Sequence, residues 1–441
     1  MSSLLIRGGT LIHQNGESIT DIYIQNGVVS LGAKEQTADR EIHAEGMLIV
    51  PALIDCHVHF REPGLTHKAT MLSESKAARA GGVTTVCEMP NTNPPTFTVE
   101  ALTDKVRRAE QVQDCDIRFF MGATQPEHLQ ELRSVWTGTS EEMKHLKKRC
   151  CGLKLFLENS TGNLKIEPET VHEAFKMCSE IGCSITAHCE DPLANATAAA
   201  ATTSNDVSAH DIMRPAESEA ISIEYAVTLV RNFGTRFHVA HLSTALGADY
   251  VRQAKAEGLP VTCEVTPHHL YLHTGHYKEL GTLVKMNPPI RSDADSAALW
   301  KAIADGTVDC IATDHAPHLL EEKRQHPPLS APSGVPGVET MLPLLLTSAA
   351  KGIISYGDII RLCFTNPNAI YRLGKQDITE GSSPDILIID PSEKWIVRAS
   401  ELHSACGWTP FEGFAAQGRS KYVLKASEDF QLPPENPSQV V

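Results

Sequence analysis

The sequence has a deficit of positive charge, few aromatic residues and no long apolar run. Its 441 residues contain 39 Lys and Arg against 54 Asp and Glu, a formal net charge of -15. An acidic surface of this kind disfavours nonspecific binding to nucleic acid, which requires basic residues. Aromatic residues make up only 5%, and Pro, Gly or polar residues interrupt the apolar stretches, so the sequence predicts no membrane span.

The sequence also lacks the cysteine spacings of a disulfide or zinc framework. It has 12 Cys, but no two of them form a Cys-x-x-Cys pair. The first residues, MSSLLIRGGTLI, contain no basic segment followed by a long apolar core, so we expect no secretory signal. Both observations predict reduced thiols and a cytoplasmic location. The chain is rich instead in histidine, with 20 residues, and histidine is the commonest metal ligand in proteins.

Eight short apolar segments alternate with helix-like stretches in the middle of the chain. In each segment the apolar run comes first, and in most of them a polar or ionisable residue follows. Eight βα units in order predict an α/β fold, a (β/α)8 TIM-like barrel whose active site lies at the carboxyl ends of the strands. A doubly wound parallel sheet is the alternative. The eight segments are residues 48–60, 82–91, 116–125, 152–159, 183–191, 236–244, 260–269 and 308–318.

The two ends of the chain resemble strands rather than βα units. Short strand-like segments separated by Gly and Asn precede residue 48, and two further segments, 384–400 and 420–430, follow the barrel. Neither end has enough apolar residues for a stable sheet alone, so we expect a small β-sandwich-like domain built from both. The predicted division assigns residues 1–50 and 371–441 to this domain and residues 51–370 to a metal-dependent catalytic barrel.

Histidines at strand ends give the strongest indication of a metal site. His57 and His59 are two residues apart, so on a strand they lie on one face and can hold one metal ion. The alternative is a pair of hydrogen-bonded core histidines. His188 and His241 end two other predicted strands and could hold a second metal. His238 is expected on the opposite face, in a structural role.

A lysine and an aspartate extend this set. Lys154 lies within the apolar strand GLKLFL, where a buried amine is costly. It either points outward or is carboxylated, since addition of CO2 gives a carbamate whose two oxygens can bridge two metals. Asp314 ends the eighth predicted strand. Its carboxylate could bind metal and exchange a proton with attacking water, or it could cap the next helix.

Further polar residues indicate the type of substrate. Arg61 follows His59 by two residues, and the planar guanidinium of arginine suits a carboxylate. Asn91, Asn287 and His318 lie at predicted loop mouths, where they can hydrogen-bond a small polar ring or its carboxylate. The alternative for each asparagine is a turn or cap residue.

Nearly the whole chain resembles the dihydroorotases of the amidohydrolase superfamily. The segments DCHVHFREPG (55–64) and ATDHAPHLLEEK (312–323) resemble the two signatures of that family, and GLKLFL and AHCED occur between them in the family's order. The resemblance implies two Zn²⁺ ions, for which Mn²⁺ or Co²⁺ could substitute. In the implied site His57, His59 and Asp314 hold one metal, His188 and His241 hold the other, and carboxylated Lys154 bridges both.

The same resemblance implies reversible cyclisation of N-carbamoyl-L-aspartate to L-dihydroorotate, a step of de novo pyrimidine (UMP) biosynthesis, by a homodimer. Asp314 is the implied catalytic residue. Either Ser160 or Thr161 would close over the substrate, and the sequence does not separate the two. The implied substrate contacts are Arg61, Asn91, Asn287 and His318.

Two other functions remain open at this point. One is a different cyclic amidohydrolase, such as a hydantoinase or allantoinase. Those substrates lack a carboxylate, so Arg61 together with Asn91 and His318 argues against them. The other is a catalytically inactive scaffold with the same fold. Inactive relatives usually lose metal ligands, whereas all six candidate ligand positions are filled in this sequence.

Overall fold

The computed structural model describes residues 3–13, 16–32, 36–159, 162 and 164–426. The strands are β1 Ser3–His13, β2 Gly16–Gln25, β3 Val28–Leu31, β4 Arg40–His43, β5 Leu48–Pro51, β6 Leu53–Val58, β7 Val83–Glu88, β8 Asp116–Gly122, β9 Cys150–Phe156, β10 Ile185–His188, β11 Phe237–Val239, β12 Val261–Val265, β13 Cys310–Ile311, β14 Ile386–Ile396 and β15 Ala415–Leu424.

The α-helices are α1 Met71–Ala80, α2 Val99–Ala109, α3 Pro126–Thr137, α4 Glu141–Arg149, α5 Pro168–Ile181, α6 Pro192–Ala201, α7 Ala209–Met213, α8 Ala216–Phe233, α9 Ala245–Ala256, α10 Pro267–Tyr271, α11 Tyr277–Leu280, α12 Asp293–Ala304, α13 Leu320–Lys323, α14 Met341–Ala350, α15 Tyr356–Ile360 and α16 Asn366–Ile370. Short 3-10 turns lie at Thr274–His276, Gly281–Val284, Pro328–Ser330 and Ala399–Glu401, and a π-helical turn lies at Arg361–Thr365.

Strands β6 to β13 form the predicted barrel. They make one parallel sheet in which each strand pairs with its neighbour in the chain. The first strand meets the segment that follows the last strand through a parallel bridge between Val58 and His315, so the ring is nearly closed. This arrangement confirms the TIM-like barrel and excludes the doubly wound sheet, which would have a reordered strand sequence and two open edges.

The apolar character of these strands follows from burial on both faces. Every residue of β6, β7, β9 and β10 is buried, because helices cover the outside of a parallel barrel and side chains fill its interior. The register pairs Lys154 with Thr186 and Phe156 with His188. Residues two apart on one strand share a face, so His188 lies one layer closer to the barrel mouth than Lys154.

Polar residues in the loops that follow the strands cap the N-termini of several helices. The side chains of Thr98, Asp191 and Thr244 each accept a hydrogen bond from a backbone N–H in the first turn of α2, α6 and α9, which is the usual N-cap arrangement. The strand ends and the helix starts therefore meet at one side of the barrel. Among the described residues, none of the helices combines the length and apolarity needed to span a bilayer.

The two ends of the chain pair in a second sheet. Its order is β15-β14-β5-β1-β2-β3, with β4 paired to β1. Strands β1 to β5 precede the barrel and β14 and β15 follow it, so the structure confirms a small β unit built from both ends. The boundaries near residues 50 and 370 stay a prediction.

Alternating side chains of β14 attach this sheet to the barrel. Leu387 and Ile389 pack into the barrel core, whereas Ile386 and Ile388 pack into the sheet's own core. All four are buried, as expected for a strand between two apolar layers. The barrel and the sheet therefore share a continuous apolar contact through one strand.

We predict that Leu387→Ala destabilises the protein by about 2–5 kcal/mol, because it leaves a cavity between the sheet and the barrel. Ile396→Ala on the same strand, where the side chain is 39% exposed, should have a much smaller effect. The thermal unfolding midpoints of the two variants measured under identical conditions test this. Equal midpoints would contradict the proposed attachment.

Candidate active site

Three potential metal-ligating atoms converge at the carboxyl end of β6 and just beyond β13. Nε2 of His57 and Nε2 of His59 lie 3.4 and 2.8 Å from the same atom, Oδ1 of Asp314. The three side chains are buried, and one potential ligand atom of each lies within 4.8 Å of the others. Two imidazole nitrogens and one carboxylate oxygen suit a divalent metal such as zinc. The structure therefore brings the first predicted ligand trio together.

A buried carboxylate on β12 holds the ring of His57. Glu264 accepts hydrogen bonds from His57 Nδ1, from His238 Nε2 at 3.1 Å and from the backbone N–H of His241 at 3.2 Å. Burial by itself would raise the pKa of Glu264, but the contacts with His57 and His238 outweigh it and hold that pKa below its usual value. An acceptor on Nδ1 leaves Nε2 for a metal, as is usual for ligating histidines.

His188, the last residue of β10, faces His241, which lies just beyond β11. Nδ1 of His188 lies 3.0 Å from Nε2 of His241. The other nitrogen of His188, Nε2, donates to Glu190 at 2.6 Å, and Arg214 Nε donates to Glu190 at 3.0 Å. The ring centroids of His57 and His241 are 5.2 Å apart. The second predicted histidine pair therefore adjoins the first trio.

Another group of potential ligands lies behind His188. Carboxylate oxygens of Glu158 and Glu190 come within 4.8 Å of each other and of a His188 nitrogen. Both carboxylates, however, contact the guanidinium of Arg214 at 2.5 Å. Because this ion pair already satisfies their oxygens, the atom of His188 left for a metal is Nδ1, on the side of His241.

Lys154 points into the barrel rather than outward. Its side chain is 1% exposed, and its Nζ has no hydrogen-bond partner among the described residues. Burial lowers the pKa of Lys154 to about 8, against the opposing effect of the negative charges of Glu264 and Asp314. A lower pKa raises the fraction of neutral amine, which is the form that can add CO2. The structure is thus compatible with a carboxylated lysine.

Several buried nitrogens of this cluster make no hydrogen bond within the described parts of the chain. They include His57 Nε2, His241 Nδ1 and Lys154 Nζ. Buried polar atoms are normally satisfied, because leaving them without partners is costly. Neutral imidazole nitrogens and a carboxylate are also the donor set that zinc prefers. The residues present therefore fit a divalent metal centre.

Arg61 and His318 lie together beside the histidine cluster. Arg61 Nε donates to the carbonyl of Pro317 at 3.0 Å, and its terminal NH2 lies 3.1 Å from His318 Nε2. Arg61 is 5% exposed, and no acidic side chain of the described residues accepts a hydrogen bond from it. A buried guanidinium without a carboxylate of its own suits an anionic ligand.

The two predicted asparagines have partners within the protein. Oδ1 of Asn91 lies 2.6 Å from His59 Nδ1, so Asn91 also orients a predicted metal ligand. Oδ1 of Asn287 accepts from Ser333 Oγ at 3.1 Å and from His210 Nε2 at 2.9 Å. Their contacts with substrate stay predictions. Ser160 and Thr161, the two candidates for closing over the substrate, lie outside the described residues.

Three of the predicted site residues have a left-handed backbone. The φ angles are 68° at Arg61, 35° at His241 and 47° at Asp314. Non-glycine residues seldom adopt positive φ, and such strain concentrates at functional sites.

The prediction that His238 lies on the face opposite to His241 is wrong. His238 points inward to Glu264, and the unusual backbone at His241 is the reason. Regular alternation ends with β11 at Val239, so face assignments do not carry over to His241.

Sequence reasoning missed the carboxylates that hold the histidines. Glu190 follows His188 by two residues, and this closeness in sequence was a usable signal for their contact. Glu264 is a lone charge within the apolar strand VTCEV. Buried charges in such strands need partners, but the sequence alone could not identify His57 as the partner.

Comparison with known proteins gives the family. The model for "Amidohydrolase family" matches residues 48–428. The chain belongs to this family. It is 37% identical to a dihydroorotase of Methanosarcina acetivorans over 94% of this chain and 89% of the relative. It is 40% identical to that of Halobacterium salinarum over 83% and 82% of the two chains. The solved L-hydantoinase (dihydropyrimidinase) of Arthrobacter aurescens is similar with a TM-score of 0.90 and 27% identity over 98% of this chain and 96% of that one.

For this amidohydrolase we predict that Glu264→Ala weakens metal binding by about 10- to 100-fold, because His57 loses the acceptor that orients it. Glu264→Gln, which retains an acceptor oxygen, should lose less. Competition with a chromogenic chelator measures the affinity. Glu257→Ala, at a 44% exposed side chain, is the control. Unchanged affinity in folded Glu264→Ala would contradict the role of Glu264.

Proposed function

We propose that this protein is a dihydroorotase, which interconverts N-carbamoyl-L-aspartate and L-dihydroorotate. One observation carries the proposal: a buried arginine without an acidic partner, Arg61, lies next to the ligand trio of His57, His59 and Asp314. Dihydroorotate has a carboxylate that could pair with Arg61 and an amide carbonyl that the metal site could polarise. The relatives named dihydroorotase, 37% and 40% identical to this chain, support the same function.

The proposed metal ligands are those that the family resemblance implies, and the structure places the four histidines and Asp314 close together. His57, His59 and Asp314 would hold one zinc ion, His188 and His241 the other, and carboxylated Lys154 would bridge them. Bound divalent metals would polarise the amide carbonyl and make a water molecule nucleophilic at neutral pH. The protein orients these ligands through Glu264, Asn91 and Glu190.

Asp314 is the proposed proton carrier. In the hydrolytic direction, water adds to the ring amide carbonyl and a proton must leave that water. The Asp314 carboxylate is buried at the barrel mouth, where burial would raise its pKa, but the contacts with His57 and His59 lower it below the usual value. The ionised carboxylate can therefore accept the proton and pass it to the departing ring nitrogen.

Arg61 is the proposed anchor of the substrate carboxylate, with His318, Asn91 and Asn287 nearby. A guanidinium can form two parallel charge-assisted hydrogen bonds with a carboxylate. These would fix the orientation of the substrate and place the ring amide next to Asp314. Holding the ring in one pose supplies part of the rate enhancement.

A second candidate is a hydantoinase, because the solved structure similar to this chain at a TM-score of 0.90 is an L-hydantoinase. Hydantoin rings carry no carboxylate, so they would leave the buried charge of Arg61 unpaired. The cost of leaving this buried charge unpaired favours dihydroorotase activity over hydantoinase activity. A catalytically inactive scaffold would not need the six ligand positions that this chain retains.

We further propose that the protein is a homodimer located in the cytoplasm.

One purified sample tests the function. Metal content is measured first, and turnover is then assayed with dihydroorotate, hydantoin and allantoin in parallel. We expect bound divalent metal and turnover of dihydroorotate far above that of the other two rings. A preference for hydantoin would support the second candidate, and a metal-free, inactive protein would support the scaffold.

Asp314→Ala should abolish turnover while metal remains partly bound, because the proton acceptor and one of several ligands are lost together. Asp314→Asn separates the two roles, since its amide oxygen can still bind metal but cannot accept the proton in the same way. Turnover and metal content of both variants are the measurements. Near-normal turnover by either variant would remove Asp314 from the chemistry.

Arg61→Met should chiefly raise KM for dihydroorotate, because the carboxylate loses a charge-assisted contact worth about 1.5–3 kcal/mol. This corresponds to a change of about 10- to 100-fold. Steady-state kinetics provide the measurement, and Arg107→Met, at a 72% exposed arginine, is the control. An unchanged KM would place the carboxylate elsewhere.

A further inference from the structure

The ring of His318 lies between two cationic side chains. Lys68 Nζ lies 3.0 Å from its Nδ1, and Arg61 NH2 lies 3.1 Å from its Nε2. Lysine and arginine side chains can only donate hydrogen bonds. Burial, followed by the charges of Arg61, Lys68 and Lys323, lowers the pKa of His318 far below its usual value, so the ring is neutral. A neutral imidazole has one acceptor nitrogen, and the two donors therefore compete for it.

A backbone carbonyl and Lys68 together decide this competition. The oxygen of Ser333 lies 3.1 Å from His318 Nε2, and a carbonyl can only accept. If Nε2 carries the proton, it donates to Ser333 and Nδ1 accepts from Lys68, so both nitrogens are satisfied. If Nδ1 carries the proton, it faces the Lys68 ammonium and no acceptor, because Glu322 Oε2 is 3.7 Å away. The contacts favour the proton on Nε2.

The carbonyl of Ser333 is fixed by its neighbours. Lys323 is fully buried and donates to the carbonyls of Pro332 and Gly334 at 2.8 and 3.0 Å. Gly334 has a φ of 143°, and a Cβ there would lie 2.9 Å from His318 Nε2. Only a glycine lets this loop approach the ring so closely. The acceptor for Nε2 is therefore a permanent part of the site.

Lys68 is itself held in place. Its Nζ forms an ion pair with Glu322 Oε1 at 2.9 Å, and Glu322 Oε2 accepts from the backbone N–H of Leu319 at 2.9 Å. The Lys68 side chain is only 13% exposed. A lysine anchored in this way donates to His318 in one fixed direction.

We propose that Lys68 is a positioning residue for the carboxylate site: it keeps the proton of His318 on Nε2, so that the terminal NH2 of Arg61 stays available to the substrate. Without Lys68, Nδ1 could take the proton, Nε2 would accept from Arg61, and the guanidinium would be engaged within the protein. The inference rests on the proposed function, because it concerns a substrate that carries a carboxylate. Lys68 thereby contributes to the distinction between dihydroorotate and rings without a carboxylate.

The test compares Lys68→Met with Lys68→Arg, which keeps a donor. Lys68→Met should raise KM for dihydroorotate about tenfold with kcat within about twofold, as expected for one charge-assisted hydrogen bond. It should also weaken the binding of orotate, a carboxylate-bearing ring, measured by calorimetry. Lys68→Arg should restore most of both. Lys76→Met, at an exposed lysine on α1, is the matched control, and metal content and thermal unfolding are measured for each variant.

A double-mutant cycle shows whether Lys68 acts through His318. In the background of His318→Phe, Lys68→Met should have little further effect on KM or on orotate affinity. Additive effects would overturn the inference, and so would an unchanged KM and orotate affinity in folded Lys68→Met. Failure of the proposed function is seen separately, as absence of dihydroorotate turnover by the unmodified protein.

Discussion

The site depends on the buried carboxylate of Glu264. It accepts hydrogen bonds from two other strand regions: from His57 on β6, and from His238 on β11 and the backbone of His241 just after it. Because it is 0% exposed, it cannot exchange these donors for water, and each donor is fixed relative to the others. This single acceptor therefore sets the position of one proposed ligand of each metal and joins the first strand of the barrel to the sixth and seventh.

Charge is arranged oppositely on the surface and in the site. The chain carries a net charge of -15, yet the corner around His318 contains Arg61, Lys68 and Lys323, with Glu322 as the acidic partner of Lys68. An anionic substrate therefore meets a cluster of positive charge inside the barrel mouth, where low dielectric strengthens the interaction. Proposed metal ions would add to that attraction, which explains how an acidic protein can select a carboxylate.

Periodicity and strand ends were sufficient to predict the barrel, the sheet built from both chain ends and the six candidate ligands. These features depend on local patterns, because alternation along a strand fixes which side chains share a face. The same rule failed for His238, since the backbone departs from strand geometry before His241. Contacts such as Glu264 with His57 or Lys68 with His318 join residues more than 200 positions apart. Only the folded barrel brings these pairs together, so no sequence pattern could predict them.

The most direct test of the central claim is a crystal structure of the metal-loaded protein with dihydroorotate, with the metals located by anomalous diffraction. The account predicts metal within about 2.0–2.2 Å of His57, His59 and Asp314, a second metal at His188 and His241, and the substrate carboxylate on Arg61. Metal bound at Glu158 and Glu190 instead, or a carboxylate directed away from Arg61, would contradict it.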